Sequence, residues 1–424
     1  MNVLVLGSGG REHALVWKLK QSPEVDRIYA IPGNAGIAQD AECFEVSLSD
    51  FPAIEQFIRE KGVDFTVVGP EQPLVAGIVD FLQERGHAVF GPNRQAAQME
   101  GSKIFAKRLM QKYGIPTAEF GTFDAYPDAL AYLDGLEDGP VVVKADGLAA
   151  GKGSVVCQNK AQAQQALRQM MVEGAFAEAG KRVVIEEFMI GHEASLFVVT
   201  DGTDYLVLPS AQDYKRVFDG DQGPNTGGMG SYAPTPVLTR TMQERAIREI
   251  VEPTLNALQK EGIEYRGVLY CGLMVTNKGP KVVEFNCRFG DPETQVVLPL
   301  LNSDLLELMQ ATVEGRLGQF RLQIREEYAV CVISASGGYP GSYQKGKEIH
   351  GLDELEADVL VFHAGTRREG ERIVTSGGRV LGVTALDVNL KAAVDKAYRN
   401  IEKIHFDGMH YRRDIARRGW KLIT

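Results

Sequence analysis

Glu284 and Asn286 stand two apart in the run Val282-Val283-Glu284-Phe285-Asn286. On a pleated strand, positions i and i+2 share a face, so a carboxylate and an amide oxygen project to the same side. Such hard oxygen donors suit an octahedral cation that also keeps phosphate and water ligands. Arg288 follows on that face if the strand continues, close enough to clamp a carboxylate or phosphate bidentately. Gly290-Asp291-Pro292-Glu293 then turns the chain. The bland alternative is an acid and an amide on a solvent-facing strand edge.

Three other clusters could serve phosphate or nucleotide. In Val141-Val142-Val143-Lys144 an apolar strand ends in a lysine, followed by a small-residue loop, Ala145 to Gly153, with Lys152 near its tip. A strand rather than a helix follows, so this is no Walker A loop. It can fold over triphosphate oxygens and exclude water; a plain surface hairpin would not explain a lysine delivered by a buried strand. Val183-Val184-Ile185-Glu186-Glu187-Phe188 can offer backbone groups to an adenine edge, with an acid a few residues on for ribose hydroxyls. By itself it is also just a strand and a turn. Gly7-Ser8-Gly9-Gly10-Arg11-Glu12 joins a strand to a helix N-terminus, a place for phosphate. Its spacing is not GxGxxG, since Glu12 holds the third glycine position, and a phosphate-bearing small molecule, a nicotinamide cofactor and a structural turn all remain open there. The long polar loop Asp213 to Gly230 carries Lys215 and Arg216, which could neutralise phosphate, and Asp213, which could receive an ammonium; a surface excursion is its alternative.

These residues need rigid elements to hold them. Short apolar runs at Val3–Leu6, Arg27–Ile31, Phe65–Gly69 and Ala88–Gly91 alternate with helical stretches at Phe51–Lys61 and Leu74–Arg85, the spacing of a doubly wound unit. A helix near Ser102–Tyr113 opens a second, α+β unit, and from about Arg325 a strand-rich unit closes with a helix near Leu390–Lys403. The expected fold class is α/β and α+β multidomain. The expected domains are 1–101, 102–324 with a small lid at about 121–189, and 325–424. Two to four domains is also what 424 residues imply. No internal repeat or long tether separates them.

Composition narrows the function further. A 44% hydrophobic, 24% charged chain is an ordinary globular protein. A formal charge of −10 argues against a nucleic-acid groove. Five scattered cysteines without CxxC spacing read as reduced thiols. The N-terminal apolar run is too short for a signal or a span. A cytoplasmic, membrane-free monomer is the expectation.

Arg288-Phe289-Gly290-Asp291-Pro292-Glu293-Thr294-Gln295 and Gly223-Pro224-Asn225-Thr226-Gly227-Gly228-Met229-Gly230 resemble the signatures of the phosphoribosylamine–glycine ligase (glycinamide ribonucleotide synthetase) family of the ATP-grasp superfamily. The likeness runs from Val3–Glu12 and Gly69-Pro70-Glu71-Gln72-Pro73-Leu74 to Gly377–Gly382, essentially the whole chain. It implies an N-terminal doubly wound domain, an ATP-grasp body with a lid, and a C-terminal domain. It implies that glycine, ATP and 5-phosphoribosylamine give glycinamide ribonucleotide, ADP and phosphate, the second step of de novo purine synthesis. Carried over, Lys103 and Lys144 contact ATP phosphates, Gly151 and Gly153 belong to the lid loop, Glu186, Glu187 and Phe188 lie at the adenine, and Glu193 takes the ribose. Glu284 and Asn286 hold Mg²⁺ or Mn²⁺. Arg288 stabilises the oxyanion and Lys215 assists catalysis. Gly9, Gly10, Arg11 and Arg379 receive the substrate phosphate, and Glu71, Asp213, Asn225 and Asp291 complete the substrate side. Many ATP-grasp enzymes carry a further metal acid on the preceding strand, where this chain reads Val268-Leu269-Tyr270-Cys271-Gly272. Other purine-pathway ATP-grasp ligases are the rivals within the fold. A nicotinamide-linked oxidoreductase, resting on Gly7–Gly10 alone, predicts no ATP turnover, and a non-catalytic nucleotide sensor would leave the metal ligands and lysines without a use.

Overall fold

A computed structural model describes residues 1–149 and 153–423. Its first sheet is wholly parallel, in the order Glu42–Cys43, Arg27–Pro32, Asn2–Gly7, Phe65–Val68, Ala88–Phe90. Helices cover both faces, so Val3 and Val5 enter one core while Leu4 and Leu6 enter another. That two-sided burial is why the strand is apolar without alternation. The central strand ends at Gly7, at the crevice where strand order reverses, the usual ligand position in open α/β sheets. The stretch expected as one helix over Leu74–Arg85 is two, Glu71–Ala76 and Ile78–Gln83. Gly77 between them adopts φ 96° and donates to the carbonyls of Pro73 and Leu74, a left-handed stop that residues with a Cβ rarely adopt.

Two antiparallel sheets follow. The body sheet runs Tyr205–Val207, His192–Thr200, Gly267–Thr276, Gly279–Asn286. A small sheet runs Phe120–Phe123, Val183–Glu187, Val141–Ala145, Ser154–Cys157. Helices Tyr126–Gly135 and Lys160–Met171 cover this second sheet around a core of its own, built on Leu133, Val143, Leu167 and Ile185. This unit therefore has a hydrophobic core separate from that of the body sheet.

The last sheet is not confined to the C-terminal third. Its order is Gln212–Asp213, Gly230–Ala233, Tyr328–Ala335, Arg379–Asp387, Leu360–His363. The loop of residues 213–230 therefore leaves from and returns to strands of this sheet. Its outer side is tied down by the chain end. Arg412, fully buried, donates to the Arg216 carbonyl at 3.0 Å and pairs with Asp221 at 3.0 Å and Asp414 at 2.7 Å. Among the described residues no helix is long and apolar enough to cross a membrane.

Candidate active site

The strand Gly279–Asn286 pairs antiparallel with Gly267–Thr276, placing Gly272 opposite Glu284. A Cβ at that glycine would come within 3.2 Å of the Glu284 carbonyl oxygen. The strand ends at Asn286, so Arg288 does not follow on the same face by alternation. Its guanidinium folds back instead, with Nη2 3.3 Å from Asn286 Oδ1.

Four cations converge on Glu284 from different elements. Burial pushes its carboxyl up, but Lys215, Lys144, Lys103 and Arg288 together outweigh burial and hold it below the usual range. Lys103 comes from the first turn of the helix Lys103–Tyr113, whose N-terminus Ser102 caps by accepting from Phe105 N–H at 3.1 Å. Its ammonium donates to the Gly147 carbonyl at 3.0 Å, and burial, only partly opposed by Glu284, lowers its pKa. Lys144, on the small-sheet strand Val141–Ala145, donates to the Val283 carbonyl at 3.0 Å, joining that sheet to the strand Gly279–Asn286. Lys215 lies 3.1 Å from Glu193. Glu193 foremost, with Asp213 and Glu284, raises the Lys215 ammonium well above its ordinary pKa.

Asp213 is in the opposite condition. Burial raises its carboxyl, Lys215 opposes this, and Glu293, Glu193 and Glu284 add repulsion. It lines a small cavity with Glu193, Ser195, Lys215 and Tyr270. Glu293, buried just beyond, accepts from Tyr270 Oη at 2.7 Å and Ser195 Oγ at 3.2 Å.

Arg288 is held by two acids. Its Nη2 donates to Glu100 at 2.7 Å, and its Nε lies 3.3 Å from Glu71. Glu71 also lies 3.8 Å from Arg11. Glu100 accepts the Cys287 N–H at 2.8 Å as well, so it fixes the chain just past the metal residues. Nothing periodic in the four-residue helix Gln98–Gly101 marks it in the sequence.

The glycine cluster at the first strand is closely packed by its neighbours. Glu12 Oε2 accepts the Gly9 N–H at 2.6 Å, and Arg11 donates to Glu12 at 2.6 Å and to the Phe289 carbonyl at 3.2 Å. The helix N-terminus thus already meets a carboxylate, and the Arg11 side chain is buried and turned inward. A Cβ at Gly9 would meet Glu12 at 2.9 Å and Asp291 at 3.3 Å, and one at Gly10 would meet Gln295 at 2.6 Å. The glycines let the Asp291–Gln295 segment approach. Arg379 pairs with Asp291 at 3.0 Å and donates to the Gly227 carbonyl at 2.8 Å, which ties that turn to the 213–230 loop. Asn225 stands opposite Arg216 in a short hairpin of that loop.

On the strand Val183–Glu187, Glu186 points into a buried ion cluster. Its oxygens lie 3.1 Å from Lys107 and 2.8 Å from Lys144. Glu187 pairs with Lys281 at 2.7 Å, and Phe188 is 40% exposed at the start of the hinge. Gly153 accepts from the Ala145 N–H at 2.7 Å. Gly151 and Lys152 lie outside the described residues. Lys107 was findable: it sits three residues after Ile104 and three before Met110, on the helix's apolar stripe, where a charge needs a partner.

The residues suit a divalent cation in chemistry, with Glu284 kept ionised by its cationic neighbours and Asn286 adding an amide oxygen. Two protein donors leave the remaining positions for phosphate oxygens and water. Among the described residues no group of three or more His, Cys, Asp or Glu forms a self-sufficient metal cage.

A helix, a small antiparallel sheet and a loop that bring Lys103, Lys144 and Lys215 toward an acid on the body sheet are the arrangement of an ATP-grasp ligase. The comparisons with known proteins give its family. Profiles described as the N domain, the ATP-grasp (A) domain and the C domain of phosphoribosylglycinamide synthetase match residues 1–100, 101–294 and 329–418. The chain belongs to the phosphoribosylglycinamide synthetase family. It is 51% identical over 416 residues to the phosphoribosylamine–glycine ligase of Caldanaerobacter subterraneus, covering 98% of this chain and 99% of that one. The ligase of the same name from Vibrio cholerae is 48% identical, with 99% and 98% covered. A crystal structure of the Thermotoga maritima ligase superposes with a TM-score of 0.86 at 36% identity, covering 98% of this chain and all of that one. The biotin carboxylase domain of the Hydrogenobacter thermophilus 2-oxoglutarate carboxylase, solved with MgADP and bicarbonate, shares the fold at a TM-score of 0.74 and 18% identity, covering 97% and 91%.

Proposed function

We propose that the protein joins glycine to 5-phosphoribosylamine, using ATP and Mg²⁺ or Mn²⁺, to give glycinamide ribonucleotide, ADP and phosphate. The observation that carries the chemistry is the convergence of Lys103, Lys144, Lys215 and Arg288 on Glu284. A glycine carboxylate oxygen attacks the γ-phosphorus, and ADP leaves. The transferred group spreads charge over its oxygens, and the lysines offset it. Glu284 and Asn286 would hold a divalent cation, which supplies further positive charge at the phosphates. The product is glycyl phosphate. Residues of about 121–189 act as the lid that keeps water from it. The amine of phosphoribosylamine then attacks the acyl carbon and phosphate departs, with Arg288 facing the oxyanion.

Glu186, Glu187 and the backbone at Phe188 read the adenine, and Glu193 the ribose. Asp213, in its cavity beside Lys215, accepts the glycine ammonium, which restores the charged form of its carboxyl. Phosphoribosylamine lies between the Gly9–Gly10 turn, Glu71, Asn225, Asp291 and Arg379. Because Arg11 is committed to Glu12 and Phe289, its part is to hold this turn. The enzyme works as a cytoplasmic monomer. Purified protein given ATP, Mg²⁺, glycine and freshly generated phosphoribosylamine should release ADP only when both co-substrates are present. ADP release indifferent to either co-substrate would overturn the assignment, and a nicotinamide-linked reaction in its place would favour the oxidoreductase.

A further inference from the structure

We infer that Lys107 is a positioning residue for nucleotide selection, holding the Glu186 carboxylate as a fixed acceptor so that ATP is preferred to GTP. This rests on the reading above that Glu186 faces the base.

Lys107, on the helix Lys103–Tyr113, is 3% exposed, and Glu186, on the lid strand Val183–Glu187, is equally buried. The ammonium lies 3.1 Å from Glu186 Oε1 yet donates its hydrogen bond to Thr117 Oγ1 at 2.7 Å. Thr117 in turn donates to the Val282 carbonyl at 2.7 Å, on the strand of Glu284 and Asn286. Lys107 is thereby anchored to the body, while the acid it faces belongs to the lid sheet. Glu186 Oε1 is buried with the Lys107 ammonium 3.1 Å away and no further hydrogen-bond partner, so a lone pair of this oxygen is unused. A buried carboxylate oxygen in that condition is an acceptor awaiting a donor. An exocyclic amino group of adenine supplies one, whereas the O6 of guanine presents a second acceptor and is repelled.

Charge explains why a lysine is needed there. In the chain alone Glu186 has two cations, Lys107 and Lys144. When Lys144 is drawn to the triphosphate, Lys107 becomes the counter-charge that remains. Burial pulls the Lys107 ammonium down to about 8, and the Glu186 carboxylate 3.1 Å away opposes this. Without Lys107, the carboxylate would rotate toward Lys144 or take up a proton. Either change removes the fixed acceptor and softens the repulsion of guanine O6.

The test is the ratio of the GTP to the ATP dissociation constant, measured by equilibrium dialysis with Mg²⁺, which needs no turnover. K107M keeps the length without the charge and should lower this ratio at least tenfold, while K107R should stay within threefold of wild type. E186Q should also lower the ratio. A K107M protein that weakens both nucleotides equally, with E186Q still shifting the ratio, would sink the role of Lys107 and leave the base-facing reading intact. An unchanged ratio in E186Q would remove that reading and this inference with it. Should K107M not fold by circular dichroism, T117V decides: it removes the ammonium's hydrogen-bond acceptor, a threefold or greater fall supports the inference, and an unchanged ratio overturns it.

Discussion

Acid should loosen the junction between the first helix and the C-terminal sheet, and His13 sets the size of the effect. His13 is buried, packs edge-on to Phe362 and His363, and accepts the His363 N–H on Nδ1 at 2.7 Å. Burial pulls its pKa down to about 4, and that of His363, with His13 beside it, to about 3. Both rings are neutral in the fold. A depressed folded pKa means the stabilising contribution is fully present above the unfolded value of 6.5 and is lost as pH falls toward about 4. For His13 alone, linkage between 6.5 and about 4 gives a loss of about 2 kcal/mol by about pH 5. The consequence reaches the site, because Asn34 bridges the His363 and Ser8 carbonyls at 2.8 Å each, beside the Gly9–Gly10 turn. Trp17 packs on Phe362 at 5.8 Å and reports the junction, and with W420F it is the only tryptophan. His13→Asn places an amide oxygen about where Nδ1 lies, keeping the acceptor without the titration. Urea unfolding followed by Trp17 fluorescence should show wild type losing about 2 kcal/mol more than H13N between roughly pH 7.5 and 5. Equal losses in the two proteins would refute the reasoning.

Glu284→Gln keeps the shape but not the charge. It should lower kcat on the order of 100-fold or more and raise the Mg²⁺ concentration for half-maximal rate, as followed by ADP release. Treatment with a chelator should abolish ADP release by the wild type and added Mg²⁺ should restore it. Glu100→Gln removes a buried charge facing Arg288, and urea unfolding should register a loss of about 3 kcal/mol, as expected for breaking a buried pair. Arg412→Met removes the buried cation shared by Asp221 and Asp414, so trypsin should cut at Lys215 and Arg216 several-fold faster than in wild type, and an unchanged rate would show that Arg412 does not hold that loop.

Local features of the site were legible in the sequence because they depend on spacing along one element. The two-residue step from Glu284 to Asn286 fixes a shared face on any strand. An apolar strand delivering Lys144 announces a buried cation, and the alternation of runs over the first hundred residues announces a parallel sheet. Where a short-range rule was extended too far, it failed for identifiable reasons. Alternation carried Arg288 onto the metal face, but the strand stops at Asn286 and the side chain returns by its own length. Helical spacing ran through Gly77, whose left-handed backbone divides the helix. At the first helix N-terminus, Glu12 and the Asp291–Gln295 segment pack directly on the glycines, a contact that spacing along the chain does not show.

By itself, then, the sequence determined the alternation of the first sheet, the shared face of Glu284 and Asn286 and the motifs that carry the family resemblance, because each is a pattern over a few neighbouring residues. The tertiary structure alone decided which distant charges meet. Glu186 between Lys107 and Lys144, Arg288 between Glu71 and Glu100, and the 213–230 loop pinned by Arg412 join residues far apart in the chain. A buried charge must find a partner, but spacing along the chain does not say which one, since only packing brings the candidates within a few ångströms.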